Sequence, residues 1–312
     1  MRVSNGLFQK CGPLLTRKRF CASFISALAG VPLLISSCTK EKATSKAKKQ
    51  STENPASWWE GGRYFIHKAV DTSVLEKGRI RAKIEGEWLE FKVRRLPRPF
   101  VDWSLSERAI RLKRLAKYGF QRRDLAGPHN ACVATFGGPE RDSAVSLNTA
   151  YKGMGFVPRK EKLRETINRL KKRKREIEEA YAHNLMEAML YKTKELGSIY
   201  SEKEMFDTSK QISLELFARP DYPTHTFLNM MSNPIASASF LDFPAFELRA
   251  IPQLLHPENP HLTDYERELI DFTNTMHSFI HGGTSIYITC VYHVIEVFDD
   301  SPNPDAMGKR LV

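Results

Sequence analysis

The chain has 312 residues, of which 41% are hydrophobic and 27% charged, and its formal net charge is +12. That composition supports a sizeable core and excludes a chain that is disordered throughout. The charge excess invites nucleic acid as a partner, but residues 1–50 hold ten Lys/Arg against the single Glu41; only +3 is left for the remainder, which argues against that reading.

Taken in order, the first 40 residues contain no Asp or Glu. Arg2, Lys10, Arg17, Lys18 and Arg19 precede an apolar run from Phe20 to Ile35, broken by Gly30 and Pro32. A membrane-spanning helix needs about 20 apolar residues, and a proline disfavours a helix interior. A basic stretch, a short apolar stretch and small residues are the order of a cleavable secretory signal. Leu34-Ile35-Ser36-Ser37-Cys38 resembles the lipobox of bacterial lipoproteins. The resemblance implies a signal peptide over residues 1–37, cleavage before Cys38 and acylation of Cys38 by chains of the palmitate class. With Thr39 next, it implies the outer rather than the inner membrane. An organelle transit peptide is also basic and acid-free; the lipobox and its polar tail favour export.

Residues 38–57 read as a disordered basic tether, because Lys, Ser, Thr, Glu and Gln dominate and almost no aliphatic residue is present. Lys40, Lys42, Lys46, Lys48 and Lys49 would add electrostatic attachment to anionic headgroups beside the lipid.

The folded α+β body is expected over residues 58–312, as one domain or as two intimate subdomains of about 58–158 and 159–312. Arg63–Ala69 reads as a strand. Ile80, Ala82 and Ile84, then Leu89, Phe91 and Val93, alternate with charges around Glu85-Gly86, the pattern of a β-hairpin that Pro97 and Pro99 end. Ser104 and Glu107 have the spacing of a capping box that opens a helix ending at Gly119. Residues 121–158 read as mostly loop, with short apolar pieces around Cys132–Phe136.

One long basic helix is expected in the middle, from Arg159 to about Leu196, with Leu163, Ile167, Leu170, Ile177, Tyr181, Leu185, Met189 and Leu196 at helical spacing. Proline-bounded segments follow, and then a C-terminal helix–strand unit. Its helix is capped by Thr263 and stops at Gly282-Gly283; its strand, Ser285 to Phe298, is apolar on both faces and so central in a sheet.

Candidate chemistry concentrates in that unit. His277 and His281, four apart, share a helix face and suit two imidazoles on one divalent metal ion. His293 on the return strand, with Asp299 or Glu296, could complete a catalytic or metal site. The alternative is that His281 caps the helix end and His277 is a hydrogen-bonded core residue. His225 and Asn229 are candidates to line a pocket. Cys132 and Cys290 could form one disulfide in an oxidising compartment, or Cys290 could be a buried thiol.

Lys171, Lys172, Arg173, Lys174 and Arg175 form a patch that could dock an anionic envelope polymer, lipid or protein, or pair with the acidic C-terminal stretch. Two functions remain open: a lipid-anchored envelope protein acting as a binding or structural module, and a lipid-anchored, metal-dependent enzyme using His277, His281 and His293.

Overall fold

A computed structural model describes residues 55–138 and 142–312. The expected signal peptide, Cys38 and the expected tether up to residue 54 lie outside the described residues. The last residues of the tether, from Pro55, begin a short 3-10 turn that runs to Trp58.

Short strands β1 (Trp59–Glu60), β2 (Tyr64–Phe65) and β3 (Val70–Asp71) lead into the hairpin β4 (Arg79–Ile84) and β5 (Glu87–Lys92). Then come α1 (Arg98–Tyr118), β6 (Asn130–Thr135), β7 (Asn148–Gly153) and β8 (Gly155–Pro158). Helices α2 (Lys160–Ala180) and α3 (Leu185–Ser201) precede β9 (Phe206–Glu215), α4 (His225–Ser232), β10 (Ala236–Phe240) and β11 (Phe246–Leu255). The chain finishes with α5 (Asp264–His281), β12 (Ile288–Asp299) and β13 (Lys309–Arg310). This is the α+β class: an N-terminal hairpin, a helical middle and a C-terminal helix–strand unit.

Seven strands of the eight-stranded antiparallel sheet run in the order β7-β6-β10-β11-β12-β9-β8, and β13 pairs with β12. β12 therefore lies inside the sheet, as its two apolar faces require. The boundary considered at residue 158 falls between β8 and α2, with strands of this one sheet on both sides of it. The sheet curls. Lys152 on β7 pairs with the buried carboxylate of Glu215 on β9, and α4 sits on the concave face, where Asn148 donates to Thr226 at 2.8 Å. On the convex face, α5 packs over β9 and β12, and the hairpin brings Ile80 and Ala82 onto Ile251 and Ile295.

The hairpin turns through Glu85 and Gly86, both at positive φ (48° and 88°), the geometry of a two-residue type I′ turn. Its companion elements were read less well. α1 begins at Arg98, with Pro97 capping and Pro99 in the first turn, so Ser104 and Glu107 lie inside the helix rather than at its start. Proline is tolerated at the first helical turn because that N–H has no intrahelical partner. Ser104 is instead buried, its hydroxyl accepting from Arg108 at 3.3 Å. Residues 121–158, read as loop, hold three strands; their polar outer faces hid the alternation.

The expected single helix from Arg159 to Leu196 is two. α2 ends at Ala180, with Tyr181 as its cap, and Asn184 starts α3 by accepting from the Glu187 amide at 3.1 Å while its own side-chain amide reaches the Glu187 carboxylate at 3.0 Å. The predicted stripe still buries: Leu163, Ile167, Leu170 and Ile177 on α2 and Leu196 on α3 are in the core, whereas Leu185 is exposed at 84%. α5 matches its expected bounds, with a complete Thr263–Glu266 capping box and Gly282 at its end. Such a cap contributes about 1 kcal/mol. Among the described residues no helix is long and apolar enough to cross a membrane.

Candidate functional site

The C-terminal turns of α5 place the His277 and His281 rings on one face, with centroids 4.8 Å apart. Tyr287 stands edge-on to His277 at 5.5 Å. Partial burial lowers the pKa of His277 below the usual histidine value, and the neighbouring His281 lowers it further. The two imidazoles are thus together, as the i, i+4 spacing requires.

His293 does not join them. It lies opposite Lys210 and Ile251 in the sheet, is almost wholly buried, and its Nε2 lies 3.2 Å from Gln253 Oε1. Gln253 in turn donates to Glu266 at 2.7 Å, in the first turn of α5. His277 is eleven residues further along that helix, about 16 Å at 1.5 Å per residue. The expected triad is therefore divided between the two ends of α5. Neither carboxylate considered as its completion is available: Glu296 is held by Arg249 and Arg310, and Asp299 accepts from the Ser301 amide at 3.0 Å. Among the described residues no group of three or more His, Cys, Asp or Glu side chains is arranged to hold a metal ion.

Around His293 the sheet carries a buried polar cluster instead. The Lys210 ammonium donates to Asp207 and, at 3.2 Å, to the Tyr265 hydroxyl. Burial alone would raise the Asp207 carboxyl, but the charge and hydrogen bond of Lys210, with the hydroxyl and amide hydrogen bonds of Ser209, bring it below the ordinary value. For Lys210 burial pulls down and Asp207 pulls up, and the net direction is up. Burial, then the Lys210 charge, pushes His293 down to about 3, with Asp207 opposing. The neutral imidazole, hydrogen-bonded to the Gln253 amide, ties β12 to β11.

His225 and Asn229 do line a cavity of about 150 Å³, with Ser143, Ser146 and Asn148. Asn229 is fixed: it accepts from the Gly138 amide at 2.9 Å and donates to Thr135 Oγ1 at 3.1 Å and to the Ser146 carbonyl at 2.8 Å. Thr224 caps α4, accepting from the Phe227 amide at 3.2 Å. His225 Nε2 lies 2.6 Å from Asp142 Oδ1. The polar groups of this wall are bonded mainly to one another, so the cavity is small and internally braced.

The basic patch on α2 is largely internal in its electrostatics. Lys171 pairs with Asp271, Lys172 with Glu176, and Arg173 with Glu176 and Glu195. Arg164 reaches Glu268. Of the five residues in the expected docking patch, Lys174 and Arg175 alone form no ion pair among the described residues.

The candidate disulfide is not formed; both cysteines are free thiols. β10 and β11 lie between their strands, and the register carries Cys132 through Ser239 and Glu247 to Phe298, eight residues from Cys290. A disulfide needs Cα atoms within about 7 Å. Cys290 is buried against Met230, and burial pushes its thiol up to about 12.

Sequence reasoning missed His67. Its Nδ1 accepts from the Leu254 amide at 3.0 Å and its Nε2 donates to the Met230 carbonyl at 2.9 Å, tying the N-terminal segment to β11 and α4. Only one signal marks it, a histidine directly after the apolar run Tyr64-Phe65-Ile66.

The site and fold define an α+β body built on a curled antiparallel sheet, with a small polar cavity beside α4. No protein-family model matches the chain, and no curated protein sequence matches it either.

Proposed function

We propose that this protein is a lipid-anchored component of the bacterial cell envelope that acts as a binding or structural module. What carries the reading is the order of the first 40 residues: an acid-free basic stretch, a short apolar run, and Leu34–Cys38 in the lipobox pattern. The lysine-rich residues after Cys38 add attraction to anionic headgroups, and Thr39 favours the outer membrane. The division of the candidate histidines between the two ends of α5 weakens the catalytic alternative.

Expression in a bacterial host tests the reading. A mature mass beginning at Cys38 plus acyl chains, with partition into detergent that Cys38→Ser abolishes, is the expected result. A full-length, unacylated product in the aqueous phase would sink it.

The ring pair of His277 and His281 favours one second reading, a metal-dependent enzyme. Metal analysis of the purified protein beside His277→Ala separates the two. Stoichiometric metal lost in the variant supports the enzyme, and equal, substoichiometric metal in both supports the module.

A further inference from the structure

The loop after α1 and the β10–β11 hairpin form one surface, and Arg111 stitches it together. Its guanidinium donates to Asp242 in the hairpin at 2.8 Å, and to the carbonyls of Arg123 (3.3 Å) and Ala126 in the loop. The Gly127 amide donates to the Leu241 carbonyl at 2.9 Å. Gly127 has φ +94°, and a Cβ there would lie 2.2 Å from the Arg111 guanidinium, so only glycine lets the loop approach this closely.

Four apolar side chains project from these adjoining turns: Phe243 (83% exposed), Leu241 (71%), Phe120 (64%) and Leu125 (57%). Single exposed apolar residues are ordinary; a cluster on two joined turns marks an interaction surface. The cluster has a basic rim. Arg122 and Arg123 of the loop are exposed and form no ion pair among the described residues, whereas the acids Asp124 and Asp242 beside them are held by Arg114 and Arg111. Behind the hairpin the chain is tied to the end of β12, where the Asp300 amide donates to the Ala245 carbonyl at 3.0 Å.

We infer that the folded body lies on an anionic phospholipid bilayer through this surface. Aromatic and aliphatic tips enter the boundary between headgroups and acyl chains, and the arginine rim meets the headgroups. Each basic residue at such a surface strengthens partition about fivefold. Tips on turns insert between lipids more readily than they cover a flat protein face, and the unpaired arginines of the rim contrast with Lys171, Lys172 and Arg173 on α2, which are paired. The inference concerns the body alone and stands whether or not Cys38 is acylated.

Hydrogen exchange on the full chain tests it, with vesicles of phosphatidylcholine alone and of phosphatidylcholine containing phosphatidylglycerol. Position-resolved exchange separates this surface from any contact made by the N-terminal segment. Amides of residues 119–127 and 241–245 are expected to gain protection with phosphatidylglycerol and not with phosphatidylcholine alone. Leu241→Ser/Phe243→Ser removes that protection, and Arg122→Gln/Arg123→Gln makes it at least tenfold weaker in lipid titration. All four positions are exposed, and circular dichroism checks that each variant is folded. Protection equal on both vesicles, confined to other segments, or unchanged in both variants overturns the inference.

Discussion

The ammonium of Lys171 on α2 lies 2.8 Å from Asp271 Oδ2 on α5, one hundred residues away in the chain. With Arg164 and Glu268 it makes an ionic seam between the two helices. Exposed pairs of this kind contribute about 0.2–1 kcal/mol. A double-mutant cycle with Lys171→Ala and Asp271→Ala should return a coupling of about 0.5 kcal/mol, diminishing as salt is raised. Zero coupling at low salt would remove the seam from the account of stability.

The buried histidines make stability depend on pH. Burial holds His67 down to about 4 and His293 to about 3, against 6.5 for the free side chain. Both are neutral in the fold at pH 7 and take up protons more readily when unfolded. Their contribution is complete above pH 6.5 and is lost as pH falls towards 3 to 4, by up to about 1.4 kcal/mol per unit for each. Urea denaturation between pH 7.5 and 4.5 should show that decline, and His67→Gln should reduce its slope by close to one proton.

Asn229 is the polar pin of the cavity wall. Asn229→Ala leaves the buried Gly138 amide without its acceptor and is expected to cost about 3 kcal/mol. Gly138→Ala should be comparably harmful, because its Cβ would meet Asn229 Oδ1 at 2.5 Å and the Asn229 backbone nitrogen at 2.6 Å. Chemical denaturation of the two variants gives the answer; a loss below 1 kcal/mol in both would mean the wall is not held as described.

Thiol accessibility should distinguish the two body cysteines. Cys132 is half-buried and Cys290 fully buried with its thiol pushed up to about 12. Peptide mapping after native alkylation should find Cys132 modified first and Cys290 only on unfolding, with no peptide joining the two.

Legibility in the sequence followed the range of the interactions. α5 was readable because Thr263, Glu266 and Gly282 are local signals, each acting within one helical turn. The hairpin was readable from strict alternation about Glu85-Gly86. Ser104 and Glu107 misled because the same spacing occurs inside a helix, where the earlier Pro97 and Pro99 had already set the start. The break between α2 and α3 does carry a signal, Asn184 with Glu187, but the apolar stripe running through it reads as one helix. β6 to β8 were hidden because their stability comes from partners in distant sequence, such as Ser237 opposite Ala134 and Ile212 opposite Gly155. The histidines divided for a similar reason. Spacing fixes His277 beside His281, but the position of His293 depends on strand register, which no local pattern discloses.

The outermost strands of the large sheet, β7 and β8, are consecutive in the chain, and Met154 alone separates Gly153 from Gly155. A sheet whose two borders are neighbouring segments turns its unfilled backbone groups toward each other's vicinity instead of offering them at opposite ends of the molecule. Growth by strand addition, the route to fibres and run-away oligomers, needs an edge that a second molecule can approach squarely. Here such an approach meets the chain's own crossing point. That joint is a barrier to stacking that the chain connection itself supplies.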